Sequence, residues 1–320
     1  MASARSADNP MKAEECGEFL SSFEIGKVKV GCHNSQLPTV LIGSIFYMRH
    51  KIVKDDQEGK FDEIAAAKLI EKASNLANSL RLSLMLDVIG ATSKALIRYI
   101  KFVKKVSDVP ILINSTSPET RVEAVKELAE DGLLDDIVYN SINHFSTEEE
   151  IQALASLPIE AAVVQAYNLR SKSPNSPLKA LIGDKDRPGL LDAARRCNIV
   201  KIMVDIPTLD MASIGALPYS AKIITEKLQL PVGTAPANAT YASAWLKDRS
   251  RSIHEDFRVI DATASAYLVA NRFDFLFFGP IEGGEWILPA CALVDALNAY
   301  GDRYLGQAPA VDRHPMHVVL

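Results

Sequence analysis

The stretch NIVKIMVDIPT, residues 198–208, decides the fold. Its β-branched, apolar core of Ile199, Val200, Ile202 and Val204 reads as a buried strand that breaks at a carboxylate, Asp205, and a proline, Pro207. A parallel strand covered on both faces is apolar nearly throughout. A carboxylate at its C-terminal end stands where the strand opens into a loop, on the rim where α/β folds place their chemistry. The same grammar recurs on both sides of this stretch. LMLDVIG carries Asp87, PILINST carries Asn114, DIVYNSIN carries Asn140 and Asn143, and LPVGTAPAN ends at Asn238. Apolar strands that each end in Asp or Asn predict a ring of hydrogen-bonding groups around one mouth.

Read in order, the chain alternates strands and helices. Strands are predicted at residues 37–46, 82–87, 109–115, 137–143, 159–167, 199–205, 230–234 and 273–278. An Ala-rich amphipathic helix is predicted at 61–80, and further helices at 92–106, 187–197, 219–228 and 239–247, with a last one beyond GPIEGG. Ser117-Pro118-Glu119 is an N-cap followed by proline at the first helical position, and Ser146 with Glu149 reads as a capping box. Residues 47–62 and the polar stretch 168–186 read as long loops. FEIGKVKVGC, residues 23–32, alternates as a small hairpin turning near Gly26, suited to plug the bottom of a barrel. The pattern predicts an α/β chain, a single (β/α)8 TIM barrel with a short N-terminal β-hairpin. The expected division is a flexible segment at 1–22, the barrel at 23–300 and a turn-rich tail at 301–320. An open doubly wound sheet competes, but its GxGxxG after a first strand is missing.

Composition narrows the function. With 320 residues, 48% hydrophobic and 23% charged, the chain is an ordinary globular protein that can bury a large core. A net charge of -5 and the lack of a basic stripe with interleaved aromatics exclude a nucleic-acid footprint. KFVKKV, residues 101–106, reads as the solvated face of a helix. Cys16, Cys32, Cys197 and Cys291 lie far apart without a CxxC, as expected of reduced thiols. The N-terminus lacks an apolar signal region and no apolar run reaches bilayer length, so a cytoplasmic protein without membrane insertion is expected.

The chain has no GxxxxGK[ST], HExxH or GxSxG, and its six histidines include no pair at helical metal spacing. A hydrolase triad and a bound metal are therefore not expected. What remains is the collar of Asp87, Asn114, Asn140, Asp205 and Asn238. Any one of them could simply cap a loop or a helix. Five at the ends of different strands, on the active-site rim of this fold, point to a ligand. A carboxylate accepts two parallel donors, and an amide offers both a donor and an acceptor. Such a collar without cations suits a neutral heterocycle rich in N–H groups, such as a pterin, better than a phosphate or a carboxylate.

FYMRHKIVKDDQEGKFD, YNSIN, LPVG with Asn238 and Trp245 beyond it, and FFGPIE resemble the family of the tetrahydromethanopterin S-methyltransferase H subunit. The resemblance spans residues 23–300 and is most like the soluble methylcorrinoid protein:tetrahydrofolate methyltransferases of the glycine betaine demethylation type. It implies a metal-free, homodimeric, pterin-binding barrel. It places Asp87, Asn114 and Asp205 on the pterin ring, Asn140 in the matching YNSIN motif, and Asn238 near the methyl-bearing N5. INST carries Asn114 where many relatives have Asp, which bears on that contact and on pterin preference.

The implied reaction is methyl transfer between a corrinoid and N5 of tetrahydrofolate, giving 5-methyltetrahydrofolate, with Asn238 and Asp205 as catalytic residues. The chain lacks the corrinoid-binding DxHxxG, so cobalamin is expected on a partner corrinoid protein or free in solution. Two alternatives stand beside this: tetrahydromethanopterin as the pterin in a larger complex, and a pterin-binding component without turnover. His50 and Lys51, beside the first strand, either meet the corrinoid face or anchor a loop.

Overall fold

The computed structural model describes residues 19–31, 36–167, 173–185 and 187–320, and only the backbone of residues 250, 252 and 254. Cys16, Cys32, His33 and most of the expected flexible segment 1–22 lie outside the described residues, as do parts of the stretch 168–186.

The chain opens with an antiparallel hairpin, β1 (Ser22–Ile25) and β2 (Val28–Gly31). Its turn holds Gly26 at φ +53, a left-handed conformation that favours a residue without Cβ. The elements that follow are β3 (Val40–Ile45), a short ribbon of β4 (Val53–Asp55) and β5 (Lys60–Phe61), α1 (Glu63–Ser79), β6 (Ser83–Ile89), α2 (Ser93–Val106), β7 (Ile111–Asn114), α3 (Pro118–Glu130), β8 (Ile137–Ile142), α4 (Glu148–Ala155) and β9 (Ala161–Gln165). Next come α5 (Ser176–Ile182), the ribbon β10 (Gly183–Asp184) and β11 (Arg187–Pro188), α6 (Leu190–Arg196), β12 (Lys201–Asp205), α7 (Leu217–Leu228), β13 (Val232–Thr234), α8 (Ala237–Thr240) and α9 (Ala244–Ser252). The chain ends with α10 (His254–Ala270), β14 (Phe275–Pro280), α11 (Gly284–Asp302) and α12 (Met316–Val319). Strands β3, β6, β7, β8, β9, β12, β13 and β14 pair in parallel in that order, and β14 closes on β3 with Phe275 opposite Val40. The (β/α)8 barrel with its N-terminal hairpin is thus present.

Side chains alternate across a strand, so each barrel strand feeds two apolar layers. Leu84 and Leu86, Ile111 and Ile113, and Ile202 and Val204 face the helices. Val40, Ile42, Met85, Leu112, Val138, Val163, Met203 and Phe275 fill the lumen, and Phe23, Ile25, Val28 and Val30 of the hairpin pack into the same cluster. The turn at Gly26 lies against Asp136 and Pro110, which precede β8 and β7, so the hairpin plugs the N-terminal end of the barrel. Phe275 fits into the lumen because β13 offers no side chain at Gly233, where a Cβ would stand 2.2 Å from the ring.

Local signals mostly hold. Ser117 caps α3, accepting from the Thr120 N–H at 3.1 Å, with Pro118 at the first helical position. The α4 cap is Thr147 and not Ser146, and no reciprocal capping box forms, because the Glu150 carboxylate turns to Arg121 and Tyr139. Thr147 Oγ1 accepts from the Glu150 N–H at 3.2 Å, while Ser146 Oγ accepts from the Asn143 N–H at 3.1 Å. The loop at 47–62 contains the β4–β5 ribbon, and the polar stretch contains α5. Helix α6 begins at Leu190 because Pro188 belongs to β11. The helix expected at 239–247 is two, α8 and α9.

The sequence reading passed over the 17-residue α10 altogether. It lies along α11 and α9, and its apolar residues do not form one stripe: Val259 and Tyr267 are exposed while Leu268 and Val269 are buried. Beyond α11, Met316 packs against Ala296 and Ala299. Lys101 of the basic run meets Glu127 at 2.9 Å and Asp131 at 2.8 Å on a helix surface. Cys197 and Cys291 are free and buried. Among the described residues, no helix is long and apolar enough to cross a membrane.

Candidate active site at the barrel mouth

The inward rows of six strands end in a polar step. Two residues beyond Ile42, Met85, Leu112, Val138, Val163 and Met203 stand Ser44, Asp87, Asn114, Asn140, Gln165 and Asp205. The two-residue period that fills the lumen with apolar side chains therefore caps it with a polar layer at the C-terminal mouth.

Asp87 is the hub of one side. It is buried, 3% exposed, and accepts from Ser44 Oγ at 3.0 Å. The Asn114 amide reaches both its oxygens, at 3.0 and 3.1 Å, and Asn140 Nδ2 donates to Oδ1 at 3.0 Å. Burial pushes the Asp87 carboxyl up to about 6, and the hydrogen bonds from Asn114, Asn140 and Ser44 pull in the opposite direction. An ionised carboxylate only accepts, so it fixes both amides with their NH2 groups turned toward it. The carbonyl oxygens of Asn114 and Asn140 are left as acceptors for a ligand. Asp87 thus orients the two amides.

Asp205, across the mouth, is built differently. It is 5% exposed, and its Oδ2 accepts from Gln165 Nε2 at 3.1 Å. Its Oδ1 is buried and has no donor among the described residues. Burial pushes this carboxyl up to about 6 as well, against the Gln165 hydrogen bond. A buried carboxylate oxygen without a donor is costly unless something else supplies one. Asn238 stands apart from both groups: it is exposed, in the first turn of α8, and its side chain makes no hydrogen bond among the described residues. Asn143 belongs to a turn, with Oδ1 accepting from the Phe145 N–H at 2.8 Å and Nδ2 donating to Ser141 Oγ at 3.1 Å.

A buried cation stands behind the Asn114–Asn140 side. Arg121 of α3 donates from Nε to the Tyr139 hydroxyl at 3.0 Å and from Nη2 to Glu150 at 2.7 Å. It also donates to the Ser115 carbonyl at 2.5 Å and to the Ser141 carbonyl at 3.4 Å. Tyr139 donates its hydroxyl to the same Glu150 oxygen. One guanidinium therefore ties together the ends of β7 and β8, the strands that carry Asn114 and Asn140.

On the β3 side, His50 is a loop anchor. It is 2% exposed, and its Nδ1 accepts from the Phe46 N–H at 3.0 Å, so Nε2 carries the proton and donates to Glu282 at 3.1 Å. Phe46 holds φ +62, and Tyr47 stacks on the His50 ring with centroids 4.2 Å apart. Burial, with the Glu282 charge and hydrogen bond, raises the Tyr47 phenol to about 12. Burial would raise the Glu282 carboxyl, but hydrogen bonding from His50 and the charge of Lys51 leave it below its usual value. Lys51 itself is exposed. Among the described residues, no three His, Cys, Asp or Glu converge as metal ligands.

The profile of the family described as tetrahydromethanopterin S-methyltransferase MtrH subunit matches residues 20–309. The chain belongs to this family. The tetrahydromethanopterin S-methyltransferase H subunit from Methanopyrus kandleri is 36% identical over 316 residues, covering 95% of this chain and 98% of that protein. Its counterpart of the same name from Methanococcus vannielii is 34% identical over 310 residues, covering 93% and 97%. By this kinship the chain is a methyltransferase. Among solved structures, dihydropteroate synthase from Yersinia pestis with a pterine-sulfa conjugate superposes with a TM-score of 0.56 at 8% identity, over 86% of this chain and 98% of that one. The Coxiella burnetii enzyme in complex with pteroic acid gives 0.53 at 14% identity, over 86% and 99%. At such identities the likeness is one of fold.

The sequence reading of this family member missed Ser44 and Gln165, although the two-residue period from Ile42 and Val163 points to both. It also missed Arg121, Tyr139 and Glu150, which no local pattern links.

Proposed function

We propose that the chain moves a methyl group between a corrinoid carried by a partner protein and N5 of tetrahydrofolate, giving 5-methyltetrahydrofolate. The observation that carries this reading is the unpartnered, buried Oδ1 of Asp205 in a polar layer where the carbonyl oxygens of Asn114 and Asn140 are also without donors among the described residues. A pterin's amino-pyrimidine edge supplies adjacent N–H donors. Asp205 accepts a pair of them, and the carbonyl oxygens of Asn114 and Asn140 accept at the remaining edge. Asp87 is too fully engaged to be a primary contact and acts by holding the two amides.

In the favoured direction the N5 lone pair attacks the methyl group, the electron pair of the broken bond stays with the corrinoid, and the proton that N5 carried is released to solvent. The corrinoid serves as methyl carrier, and the barrel contributes orientation. Asn238, exposed on the rim, accepts a hydrogen bond through its amide oxygen from protonated N5 in the reverse direction, where the amine must leave. The protein works as a homodimer, for which the exposed row of Leu293, Leu297, Tyr300 and Tyr304 along the C-terminal helical segment offers an apolar face.

The test is anaerobic mixing of the protein with methylcobalamin and tetrahydrofolate while the cobalamin spectrum is followed. Protein-dependent loss of methylcobalamin with formation of 5-methyltetrahydrofolate supports the reading. Turnover with tetrahydromethanopterin alone would transfer it to the pterin named in the relatives from Methanopyrus kandleri and Methanococcus vannielii. Unchanged turnover in both Asp205→Ala and Asn238→Ala would overturn the site.

A further inference from the structure

A cavity of about 650 Å³ opens beside the polar layer, between the turn after β8 and the helices α5 and α6. It is lined by segments that follow β8 and β9, on the C-terminal side of the barrel. Asn143 follows Asn140 by three residues, Tyr167 follows Gln165 by two, and both line the cavity. Three features of the lining have no role at the pterin ring.

The first is His144. Both its ring nitrogens are buried and neither has a hydrogen-bond partner among the described residues. Burial lowers its pKa, so the ring is neutral at pH 7, with one N–H donor and one acceptor nitrogen. The second is aromatic. Phe145 is 70% exposed with its ring centroid 3.7 Å from that of His144, and the Tyr167 ring lies 5.4 Å from the same imidazole. At a cavity wall Phe145 offers an aromatic face to a ligand. The third is charge. Lys179 and Arg187 on the outer wall are exposed and have no ion-pair partner among the described residues. Three acids share these walls: Glu148 is matched with Arg196, Asp192 with Arg195 at 3.6 Å, and Asp184, opposite Arg187 in the β10–β11 ribbon, is engaged as well.

We infer that this groove binds the tail of the pterin substrate: an aryl ring against Phe145 and Tyr167, an amide against His144, and a terminal carboxylate at Lys179 and Arg187. The assignment rests on the proposed pterin site and extends it. An amide can accept from the N–H of a neutral imidazole through its carbonyl or donate its own N–H to the acceptor nitrogen. An aryl ring suits the exposed aromatic wall, and a carboxylate suits an Arg fork and a Lys ammonium. Tetrahydrofolate carries all three groups in that order outward from its ring. The polar layer then reads the pterin ring, and the groove distinguishes one tail from another.

The experiment is an anaerobic equilibrium titration with two probes, tetrahydrofolate and 6-methyltetrahydropterin, which has the ring without the tail. The wild type is compared with Lys179→Glu/Arg187→Glu and with His144→Phe, each checked for an unchanged melting temperature. Both variants are expected to weaken tetrahydrofolate about tenfold or more, the scale of one charge-assisted or buried hydrogen bond. Their affinity for 6-methyltetrahydropterin is expected to stay within about twofold. Unchanged tetrahydrofolate affinity in both variants overturns the groove assignment while the pterin site stands. Equal weakening of both probes also overturns it, since the residues would then act on the ring site. If the wild type binds neither probe, the pterin reading itself falls and the groove assignment with it.

Discussion

The Asn114 side-chain amide donates to both oxygens of the Asp87 carboxylate, at 3.0 and 3.1 Å. The pair makes one polar unit from the ends of two neighbouring strands, and Asn140 joins it at 3.0 Å from a third. Asn114→Asp would replace a donor with a second carboxylate at the same spot. Two carboxylates about 3 Å apart resist ionising together, so the pair would share a proton at low pH, lose it only as pH rises, and titrate as a dyad. Pterin affinity in this variant should drop about tenfold at pH 8 and recover toward pH 6, as the shared proton restores a donor. Equilibrium titration across that range checks it; an affinity independent of pH would show that Asp87 does not control the amide.

Asp205 carries a stability cost that Asn would remove. Its carboxyl is pushed up to about 6 by burial. A raised carboxyl contributes stability that is full below the unfolded value near 4 and is lost as pH rises through about 6. Asp205→Asn should therefore be more stable than wild type at pH 8, by up to about 3 kcal/mol, and should converge with it near pH 4. The same substitution should weaken the pterin about tenfold or more by removing a paired acceptor. Urea unfolding at several pH values, with binding measured alongside, tests both halves.

Arg121 and Glu150 form a buried ion pair at 2.7 Å. Removing only the cation leaves a charge in the interior, so Arg121→Met should cost about 3–5 kcal/mol. The double variant Arg121→Met/Glu150→Gln should recover much of that stability, because neither charge remains. Its pterin affinity should not recover, because the Ser115 and Ser141 carbonyls have lost their common donor. Recovery of binding together with stability would show that the clamp does not position Asn114 and Asn140.

Gly233 is set against the Phe275 ring, and a Cβ there would lie 2.2 Å from it. Gly233→Ala should destabilise by about 1–3 kcal/mol or more through overpacking. Phe275→Leu in the same chain should reduce that penalty, so the two changes should be strongly non-additive. Melting curves of the two single variants and the double variant decide it; additive effects would rule out the clash.

His50 and Glu282 illustrate where reading residues in order stops. The sequence left His50 open between meeting a corrinoid and anchoring a loop; its burial and its bonds to Phe46 and Glu282 make it an anchor. His50 and Glu282 are 232 positions apart, and no local pattern pairs them. For the same reason the Arg121–Tyr139–Glu150 group, whose members come from a helix, a strand and another helix, was invisible, and α10 was passed over because its apolar side chains do not keep to one face.

The barrel itself was legible because its signals are local and repeated. Apolar strands such as 199–204, five of them closed by Asp or Asn and alternating with helices, leave few architectures open, and the two-residue period puts Asp87, Asn114, Asn140 and Asp205 on the inward rows. Which of those groups face a ligand is a different kind of question. It depends on where each hydrogen bond goes once the strands close on one another, and closure alone brings Asn114 and Asn140 onto Asp87 while leaving one oxygen of Asp205 bare. Side-chain periodicity is a property of single strands, whereas donor–acceptor satisfaction belongs to the barrel as a whole.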